Sequence, residues 1–379
     1  MTLTLDRNES AAPAGPDSTD FDSPGTDLRT AGVKIIGVGT ATPPESYSQS
    51  ELLDIFRVSD PRVRGVFLNS AIDRRHLVLP PVGPDGARLM ETEGQLLAKH
   101  REQGIEMGAR ALRACLKEAG ADLDDVGYLC CVTSTGWLTP GFSALLIREL
   151  GMRTATSRLD VVGMGCNAGL NALAAVSGWA AAHPGRLAVM LCAEACSSAY
   201  VFDGTMRTSV VNSLFGDGAA AVAVIARPEP PAPGPTLLGF ASRIIPEAID
   251  AMRYDFDDEQ GKFSFFLDRD IPYVVGAHAE QVVDRLLAEH GLRRSAVAQW
   301  IVHSGGKKVV DAVMVNLGLS RHEVRHTTGV LRDYGNLSSG SFLFSYERLL
   351  EEDALRPGDH VVFMTMGPGS TIETALARY

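Results

Sequence analysis

A proline-rich segment at residues 227–235 divides the sequence and constrains its fold more than any other feature. Five of its nine positions are proline. Because proline fixes φ and lacks a backbone N–H, this segment can form neither a helix interior nor a central strand. On both sides, short apolar runs alternate with segments of helical periodicity. The pattern predicts an α/β protein with two halves, residues 32–226 and 236–379, each a mixed sheet covered by helices.

The alternation also predicts individual elements. In the first half we expect strands at residues 33–39, 126–133, 160–164, 187–192 and 218–225, with helices at 49–56, 97–119, 142–150 and 167–182. In the second half we expect strands at 236–245, 300–303, 360–366 and 371–377, with helices at 274–290, 307–317 and 339–352. Residues 1–31 are rich in Ser, Pro, Asp, Gly and Ala, a composition that predicts a disordered arm.

Composition and charge exclude several classes of protein. The 379-residue chain is 45% hydrophobic, so it can bury a large core, and its net charge of -11 argues against nucleic acid or an anionic membrane as the main partner. No run approaches the roughly 18 apolar residues of a membrane-spanning helix. The N-terminal residues lack the basic start and apolar stretch of a signal peptide. We therefore expect a cytoplasmic protein, in which an anionic ligand needs a local basic patch.

Cys166 has a setting that differs from those of the other five cysteines, which suggest neither a disulfide framework nor a metal site. It lies in Asp160-Val-Val-Gly-Met-Gly-Cys166-Asn-Ala-Gly169, where a strand ends in a glycine turn and an Ala-rich helix begins. The helix dipole would favour a thiolate, and a lowered thiol pKa would make Cys166 a nucleophile toward acyl groups. A buried, inert cysteine explains the same residues, so the segment alone leaves both interpretations open. The spacing Gly163-x-Gly165-x-x-Ala168 also fits a dinucleotide fingerprint, but no acidic residue ends a strand about 20 residues later.

Two further residues could complete a site around a nucleophilic cysteine. His303 ends the apolar run Trp300-Ile-Val302 and precedes Ser-Gly-Gly306, which leaves space around a potential base. Asn336 follows Tyr334-Gly335 at the start of a predicted helix, where its amide could hold a developing oxyanion or enolate. A structural histidine and a helix-capping asparagine are the alternatives. The order Cys, His, Asn, each at a glycine-lined turn, favours a catalytic site.

These segments together resemble a known family. Met164-Gly-Cys166-Asn-Ala-Gly169, Leu214-Phe-Gly-Asp-Gly218, His303-Ser-Gly-Gly306, Tyr334-Gly-Asn336-Leu-Ser-Ser339 and Gly367-Pro-Gly369 are similar to the motifs of type III polyketide synthases of the chalcone synthase kind. The resemblance implies a thiolase-like fold with α-β-α-β-α layers. It also implies that Cys166 carries the acyl chain, while His303 and Asn336 promote decarboxylation of the extender.

The same resemblance implies further site residues. Phe215 and Phe265 match the gatekeepers between the coenzyme A tunnel and the reaction cavity. Candidate cavity residues are Ser338, Cys196, Ala199 and Met206, and the backbone amides of Cys166 and Ser370 would hold the oxyanion. The basic residues that bind coenzyme A phosphates in plant members are partly replaced here, at Gly65 and Asn69. Arg62, Arg64, Lys307 and Lys308 are the candidates for that task, and a solvated helix start is an equal interpretation of the two lysines.

A finer resemblance concerns the substrate and product. Residues 69–81, 133–141 and 162–169 are similar to those of the bacterial 3,5-dihydroxyphenylacetyl-CoA synthases of glycopeptide-antibiotic pathways. This implies malonyl-CoA as starter and extender, four units per product, no permanently bound cofactor, a homodimer, and possible hydratase-like pathway partners. Thr139 replaces the methionine that reaches into the partner's cavity in plant members. Alternatives are a type III synthase with another product, a ketoacyl synthase III-like enzyme, and a non-catalytic thiolase-fold subunit.

Overall fold

The computed structural model describes residues 32–199, 202–227 and 233–379. The predicted arm at residues 1–31 and the middle of the proline-rich linker lie outside these residues. In the described part, the strands are β1 Val33–Ala41, β2 Ser46–Ser48, β3 Arg74–His76, β4 Val126–Thr133, β5 Ser157–Val162, β6 Leu187–Glu194, β7 Gly218–Ala226, β8 Thr236–Ile244, β9 Met252–Asp257, β10 Lys262–Leu267, β11 Val297–Val302, β12 His360–Gly367 and β13 Thr371–Arg378. The helices are α1 Gln49–Ile55, α2 Pro61–Leu68, α3 Glu93–Ala119, α4 Phe142–Leu150, α5 Ala168–Ala182, α6 Met206–Leu214, α7 Ile271–Ala288, α8 Lys307–Leu317, α9 Arg325–Tyr334 and α10 Ser341–Glu351.

Nine of the described strands form one mixed sheet with the order β11-β12-β13-β8-β1-β7-β6-β4-β5. The first-half strands and the second-half strands occupy opposite ends of this order. They meet at β1 and β8, which share one register pair, Lys34 with Thr236. Strands β4, β5 and β6 are parallel to one another, and β11 is parallel to β12. The sheet therefore consists of two half-sheets that are joined by minimal pairing.

Three hydrophobic clusters define five layers. The central cluster packs α5 and α10 between the inner faces of the two half-sheets. The second packs α3 and α4 on the outer face of the first half-sheet, and the third packs α7 and α8 on the outer face of the second. The predicted α/β class with α-β-α-β-α layers is confirmed. Among the described residues, no helix is long and apolar enough to span a membrane.

This topology places the ends of the parallel strands at one edge of the molecule. The Cys166 turn follows β5, His303 follows β11, and Asn336 follows α9. Loops at the carboxyl ends of parallel strands are where α/β proteins bind ligands. The three predicted site residues therefore come from two different half-sheets and are brought together by the packing of α5 against α10.

Glycines allow α3 to lie directly on the sheet at β1. A β-carbon on Gly39 would overlap the amide nitrogen of Cys115 and would lie 2.7 Å from the Ala111 carbonyl oxygen. Gly37, two residues earlier on the same face, has the same close approach to α3, since its β-carbon would lie 2.9 Å from that of Ala119. Contacts with helix backbone cannot be relieved by a side-chain rotation, so the spacing of strand and helix depends on these two positions.

Replacing Gly39 with alanine is expected to lower the free energy of unfolding by about 1–3 kcal/mol, because the methyl group forces α3 away from β1. Gly94 lies in the same helix and has open space where a β-carbon would stand. Gly94→Ala is therefore the matched control, with a change of at most about 1 kcal/mol, in the stabilising direction. Urea denaturation measures both changes. A Gly39→Ala variant as stable as the unchanged protein would contradict this packing.

Candidate active site

Cys166 lies in a short 3₁₀ turn, Gly165–Asn167, between β5 and α5. Gly165 has φ of 72°, and a β-carbon there would overlap the ring of Pro368. Gly367 is about as close to the turn, since its β-carbon would lie 2.4 Å from Asn167 Oδ1 and 2.7 Å from the Asn167 amide nitrogen. The Gly367-Pro-Gly369 loop therefore packs on the cysteine turn, and both glycines are required for the approach.

The thiol of Cys166 is nearly buried and is surrounded by neutral hydrogen-bonding groups. Its Sγ lies 3.5 Å from Ser338 Oγ, and the Asn336 side chain also hydrogen-bonds to it. The pKa of Cys166 is raised to about 12, because burial and the negative charge of Glu194 outweigh the opposing hydrogen bonds from Ser338 and Asn336. Burial therefore opposes the stabilisation of a thiolate that the helix dipole was expected to give.

The orientation of the Asn336 amide follows from its neighbour. Asn336 Oδ1 accepts a hydrogen bond from the Ser338 backbone N–H at 2.8 Å. The carbonyl end of the amide is therefore occupied, and the NH₂ end is the donor toward Cys166 Sγ. Asn336 thus offers a donor beside the sulfur, as a residue that stabilises a negative oxygen must.

His303 is buried and held in one tautomer by Ser341. The Ser341 hydroxyl donates to the Ser338 carbonyl oxygen at 2.7 Å, so its single proton is used there. Ser341 Oγ also lies 2.7 Å from His303 Nδ1, and this contact therefore requires a proton on Nδ1. Burial lowers the pKa of His303 to about 3, so the ring is neutral. Nε2 then carries the lone pair and can accept a proton.

Two cavities meet at Cys166. The larger, of about 680 Å³, is lined by Cys166, His303 and Asn336. The smaller, of about 370 Å³, is lined by Cys166, Ser338, Cys196 and Ala199 among others. A thiol at the junction of two cavities can receive a group from one and extend it into the other.

Phe215 and Phe265 line both cavities and form the partition between them. Their ring centroids are 5.9 Å apart and their planes are nearly perpendicular, at 86°. The structure thus places both predicted gatekeepers where the two cavities adjoin. Tyr254 and Trp137 also line the smaller cavity, and the sequence analysis missed both.

Met206 does not lie where the sequence analysis predicted a cavity-lining residue. It begins α6 with a 46% exposed side chain, and it is not among the described residues that line either cavity. The first residues of this helix point to the surface, whereas its last turn, which leads to Phe215, points inward.

The cations that line the larger cavity are Lys307 and Lys308, together with Arg269, which the sequence analysis missed. Arg62 and Arg64 were the other candidates, and neither belongs to the described residues that line this cavity. Arg62 is exposed and pairs with Asp60 at 3.0 Å. Arg64 donates to the Val58 carbonyl oxygen at 3.0 Å. The structure therefore brings neither arginine to this cavity, and both make local contacts around the start of α2.

The oxyanion prediction for Ser370 is also wrong. Its backbone N–H donates to the Ala248 carbonyl oxygen at 3.3 Å, and its hydroxyl donates to the same oxygen at 3.0 Å. Both donors of Ser370 are therefore directed toward the turn before β9. The Cys166 amide, in contrast, faces its own sulfur.

A buried carboxylate, which the sequence analysis missed, lies behind the thiol. Glu194, at the end of β6, accepts hydrogen bonds from Ser134 Oγ at 2.9 Å and Thr135 Oγ1 at 3.1 Å. Ser134 Oγ in turn lies 2.7 Å from Ser338 Oγ. Burial raises the pKa of Glu194. Among the described residues, no group of three or more His, Cys, Asp or Glu side chains has an arrangement that could hold a metal ion.

Replacing Ser341 with alanine is expected to slow alkylation of Cys166 by iodoacetamide roughly 10- to 100-fold at neutral pH, because His303 loses the partner that keeps Nε2 unprotonated and oriented. Ser345, one turn later in α10, is equally buried and bonds only to the Ser341 carbonyl oxygen. Ser345→Ala is the control and should leave the rate within a few-fold. Peptide mass spectrometry measures the rate at Cys166, and equal rates in the two variants would contradict the role of Ser341.

Comparison with known proteins gives the same family at the level of sequence and fold. The description "Chalcone and stilbene synthases, N-terminal domain" matches residues 78–228, and "Chalcone and stilbene synthases, C-terminal domain" matches residues 238–379. The 3,5-dihydroxyphenylacetyl-CoA synthase of Streptomyces toyocaensis is 69% identical over 350 residues, which cover 91% of this chain and 90% of the relative. The synthase of the same name from Amycolatopsis orientalis is 70% identical over 346 residues, or 91% and 93% of the two chains.

Solved structures of type III polyketide synthases have the same fold as this chain. The 1,3,6,8-tetrahydroxynaphthalene synthase of Streptomyces coelicolor A3(2), described as a bacterial type III polyketide synthase, has a TM-score of 0.83 at 25% identity, with 91% and 99% of the two chains covered. The C-terminal type III polyketide synthase domain of Steely1 from Dictyostelium has a TM-score of 0.83 at 27% identity, with 92% and 99% covered. The chain therefore belongs to the chalcone and stilbene synthase family of type III polyketide synthases.

Proposed function

We propose that this type III polyketide synthase condenses four malonyl-CoA units on Cys166 and cyclises the chain to 3,5-dihydroxyphenylacetyl-CoA. The observation that carries the product assignment is the identity of about 70%, over nine tenths of the chain, with synthases that bear this name. Enzymes of this family are acyltransferases that use coenzyme A thioesters as substrates and need no permanent cofactor. The chemistry is supported by the convergence of Cys166, His303 and Asn336 where two cavities meet.

The first step is acylation of Cys166. Sγ attacks the thioester carbonyl carbon of malonyl-CoA while the thiol proton moves to His303 Nε2. The carbonyl oxygen becomes an oxyanion beside the Cys166 amide, and the bond from carbon to the coenzyme A sulfur then breaks. Because burial raises the pKa of the thiol and lowers that of the imidazole, the proton moves as the new bond forms rather than before. Coenzyme A leaves as a thiolate and takes a proton from water.

The second step is decarboxylation of another malonyl-CoA. The bond to its carboxylate breaks, CO₂ leaves, and the electron pair forms an enolate. The Asn336 NH₂ group and the protonated Nε2 of His303 donate to the enolate oxygen, and its negative charge stabilises the buried imidazolium. The enolate carbon then attacks the Cys166 thioester, and the released sulfur takes the proton back from His303. Holding both acyl groups beside one sulfur supplies the entropic advantage.

Coenzyme A binding is assigned to the larger cavity. Lys307 and Lys308, at the start of α8, and Arg269, just before α7, provide positive charge for the phosphates in an otherwise acidic protein. The pantetheine arm would pass between Phe215 and Phe265 toward Cys166. The growing chain would occupy the smaller cavity, whose walls include Ser338, Cys196 and Ala199.

A homodimer is part of the same proposal. Strand β5 is the edge of the nine-stranded sheet, and Leu159 and Val162 on it are large exposed apolar residues. Trp137 is 53% exposed and, with Val162, lines the smaller cavity. Pairing of this edge with a second copy would cover the apolar surface. A role for hydratase-like partners and a cytoplasmic location stay predictions from the sequence.

Incubating the purified protein with malonyl-CoA alone is expected to give 3,5-dihydroxyphenylacetyl-CoA, identified by mass and by comparison with the authentic compound. Cys166→Ala should remain folded, by circular dichroism and thermal unfolding, but should form no product and carry no malonyl group by intact mass. Cys196→Ala is the matched control, since this second thiol lines the same smaller cavity and should leave acylation intact. Product from Cys166→Ala would exclude the covalent mechanism, and a different product mass would favour another type III synthase.

Replacing Asn336 with alanine is expected to separate the two steps. Malonyl transfer to Cys166 should fall only a few-fold, because the thiol loses one hydrogen bond. Decarboxylation of malonyl-CoA should fall on the order of 10²-fold, because the enolate loses a fixed donor. Rapid-quench mass spectrometry follows acylation, and release of labelled CO₂ follows decarboxylation. Equal losses in both steps would mean that Asn336 acts only on the structure of the turn.

A further inference from the structure

Arg75 is a fully buried arginine beneath the candidate active site. It lies in the short strand β3, and its side chain is enclosed by the protein. Its Nη1 donates to the carbonyl oxygen of Phe215 at 2.7 Å, and its Nη2 donates to Gln49 Oε1 at 2.8 Å. Taking a guanidinium out of water is costly, so a buried arginine that bonds to the backbone of a partition residue requires a reason.

Gln49 extends this contact to the end of α6. Its Nε2 donates to the Ser213 carbonyl oxygen at 2.7 Å and to Ser70 Oγ at 2.9 Å. The side chains of Arg75 and Gln49 therefore bind two backbone oxygens within three residues, Ser213 and Phe215. The segment that leads into the partition is fixed at both of these points.

The same segment is bonded to the backbone of Asn336. The Asn336 N–H donates to the Leu214 carbonyl oxygen at 2.9 Å, and the Gly216 N–H donates to the Asn336 carbonyl oxygen at 3.0 Å. These two bonds form an isolated parallel bridge between Phe215 and Asn336, one residue from each half of the chain. The partition and the amide donor therefore move as one unit.

The stem of Arg75 supports the other side of this bridge. A β-carbon on Gly335 would lie 2.9 Å from Arg75 Cδ and 2.6 Å from the Leu214 carbonyl oxygen. Gly335 has φ of 75°, in the region that favours glycine. Arg75 thus contacts the backbone on both sides of the bridge. Its aliphatic side-chain carbons pack against Gly335, and its guanidinium donates to the Phe215 carbonyl oxygen.

We propose that Arg75 is a positioning residue, which fixes the distance of both the Phe215 partition and the Asn336 amide from Cys166. This inference rests on the proposed function of that site. Arg75 contributes no atom to the reaction. It acts through the Phe215 carbonyl and through Gly335, so its loss should alter turnover and product length more than substrate affinity.

The test compares Arg75→Met with Arg74→Met. Methionine keeps the unbranched apolar stem and removes the donors. Arg74 is the adjacent residue, half-exposed and bonded to Ser46, and is the control for loss of a positive charge in the same strand. Because a displacement of about 1 Å can cost on the order of 10²-fold in rate, we expect Arg75→Met to lower kcat by 10- to 100-fold. The KM for malonyl-CoA should stay within about threefold, since Lys307, Lys308 and Arg269 are untouched.

Two further readouts separate positioning from general stability. The share of products shorter than the full chain should rise in Arg75→Met, because the partition no longer holds the chain in place, and Arg75→Lys should recover part of kcat. Gln49→Met should lower kcat in the same direction but less, and it decides the question if Arg75→Met does not fold. The inference would be overturned if a folded Arg75→Met kept its kcat and its products, or if Arg74→Met lost as much activity. If Arg75→Met does not fold, full activity of Gln49→Met would overturn it. If the unchanged protein makes no product, the proposed function fails instead.

Discussion

The arrangement of the site depends on one close contact in the central layer. Gly169, in the first turn of α5, lies so near the Ser339 carbonyl oxygen that a β-carbon would overlap it. This contact brings the start of α5 against the turn that precedes α10. Cys166 lies just before the first, and Ser338 and Asn336 lie just before the second. A larger residue at position 169 would separate the thiol from its hydrogen-bonding partners while leaving each half-sheet intact.

The electrostatics of the resting site differ from those of an activated cysteine at a helix N-terminus. A helix dipole stabilises an anion through its exposed N–H groups, and the effect falls off within one turn. At Cys166 the loss of hydration is the larger effect, and the buried carboxylate of Glu194 adds to it. In the proposed mechanism, the lone pair of His303 Nε2 and the arriving acyl group activate the thiol.

The sequence predicts best those elements whose apolar periodicity and end signals lie within the same short stretch of the chain. Helix α4 at Phe142–Leu150 and helix α8 at Lys307–Leu317 have the predicted bounds, and both are followed by a glycine in the left-handed region. Helix α6 was missed because Met206–Leu214 contains Thr, Ser, Val and Asn, which are weak helix formers. Its helical state comes from packing under the partition. The hairpin of β9 and β10 was missed because four acidic residues stand among its aromatic ones.

The site shows the same division between local and long-range information. Cys166, His303 and Asn336 each end a recognisable local pattern, so the sequence predicts them and the structure brings them to one junction. The burial that sets the pKa of Cys166, and the bond that uses the Ser370 amide, involve residues distant in sequence. Strand β6 extends two residues beyond its predicted end at residue 192 and buries Glu194, although a carboxylate is seldom buried. Its burial is explained by hydroxyl donors from residues 133–135 and 339.

The charges around the larger cavity affect both the binding of coenzyme A thioesters and the release of coenzyme A. A net charge of -11 repels polyanionic thioesters at long range, but beyond roughly 8 Å this repulsion is screened at physiological salt. Within that distance Lys307, Lys308 and Arg269 outnumber Asp268 among the charged residues that line the larger cavity, and Asp311 already pairs with Lys307 at 2.6 Å. The local attraction is therefore moderate. An enzyme that must release coenzyme A after each acyl transfer gains from this, because a tight phosphate site would slow every cycle of extension.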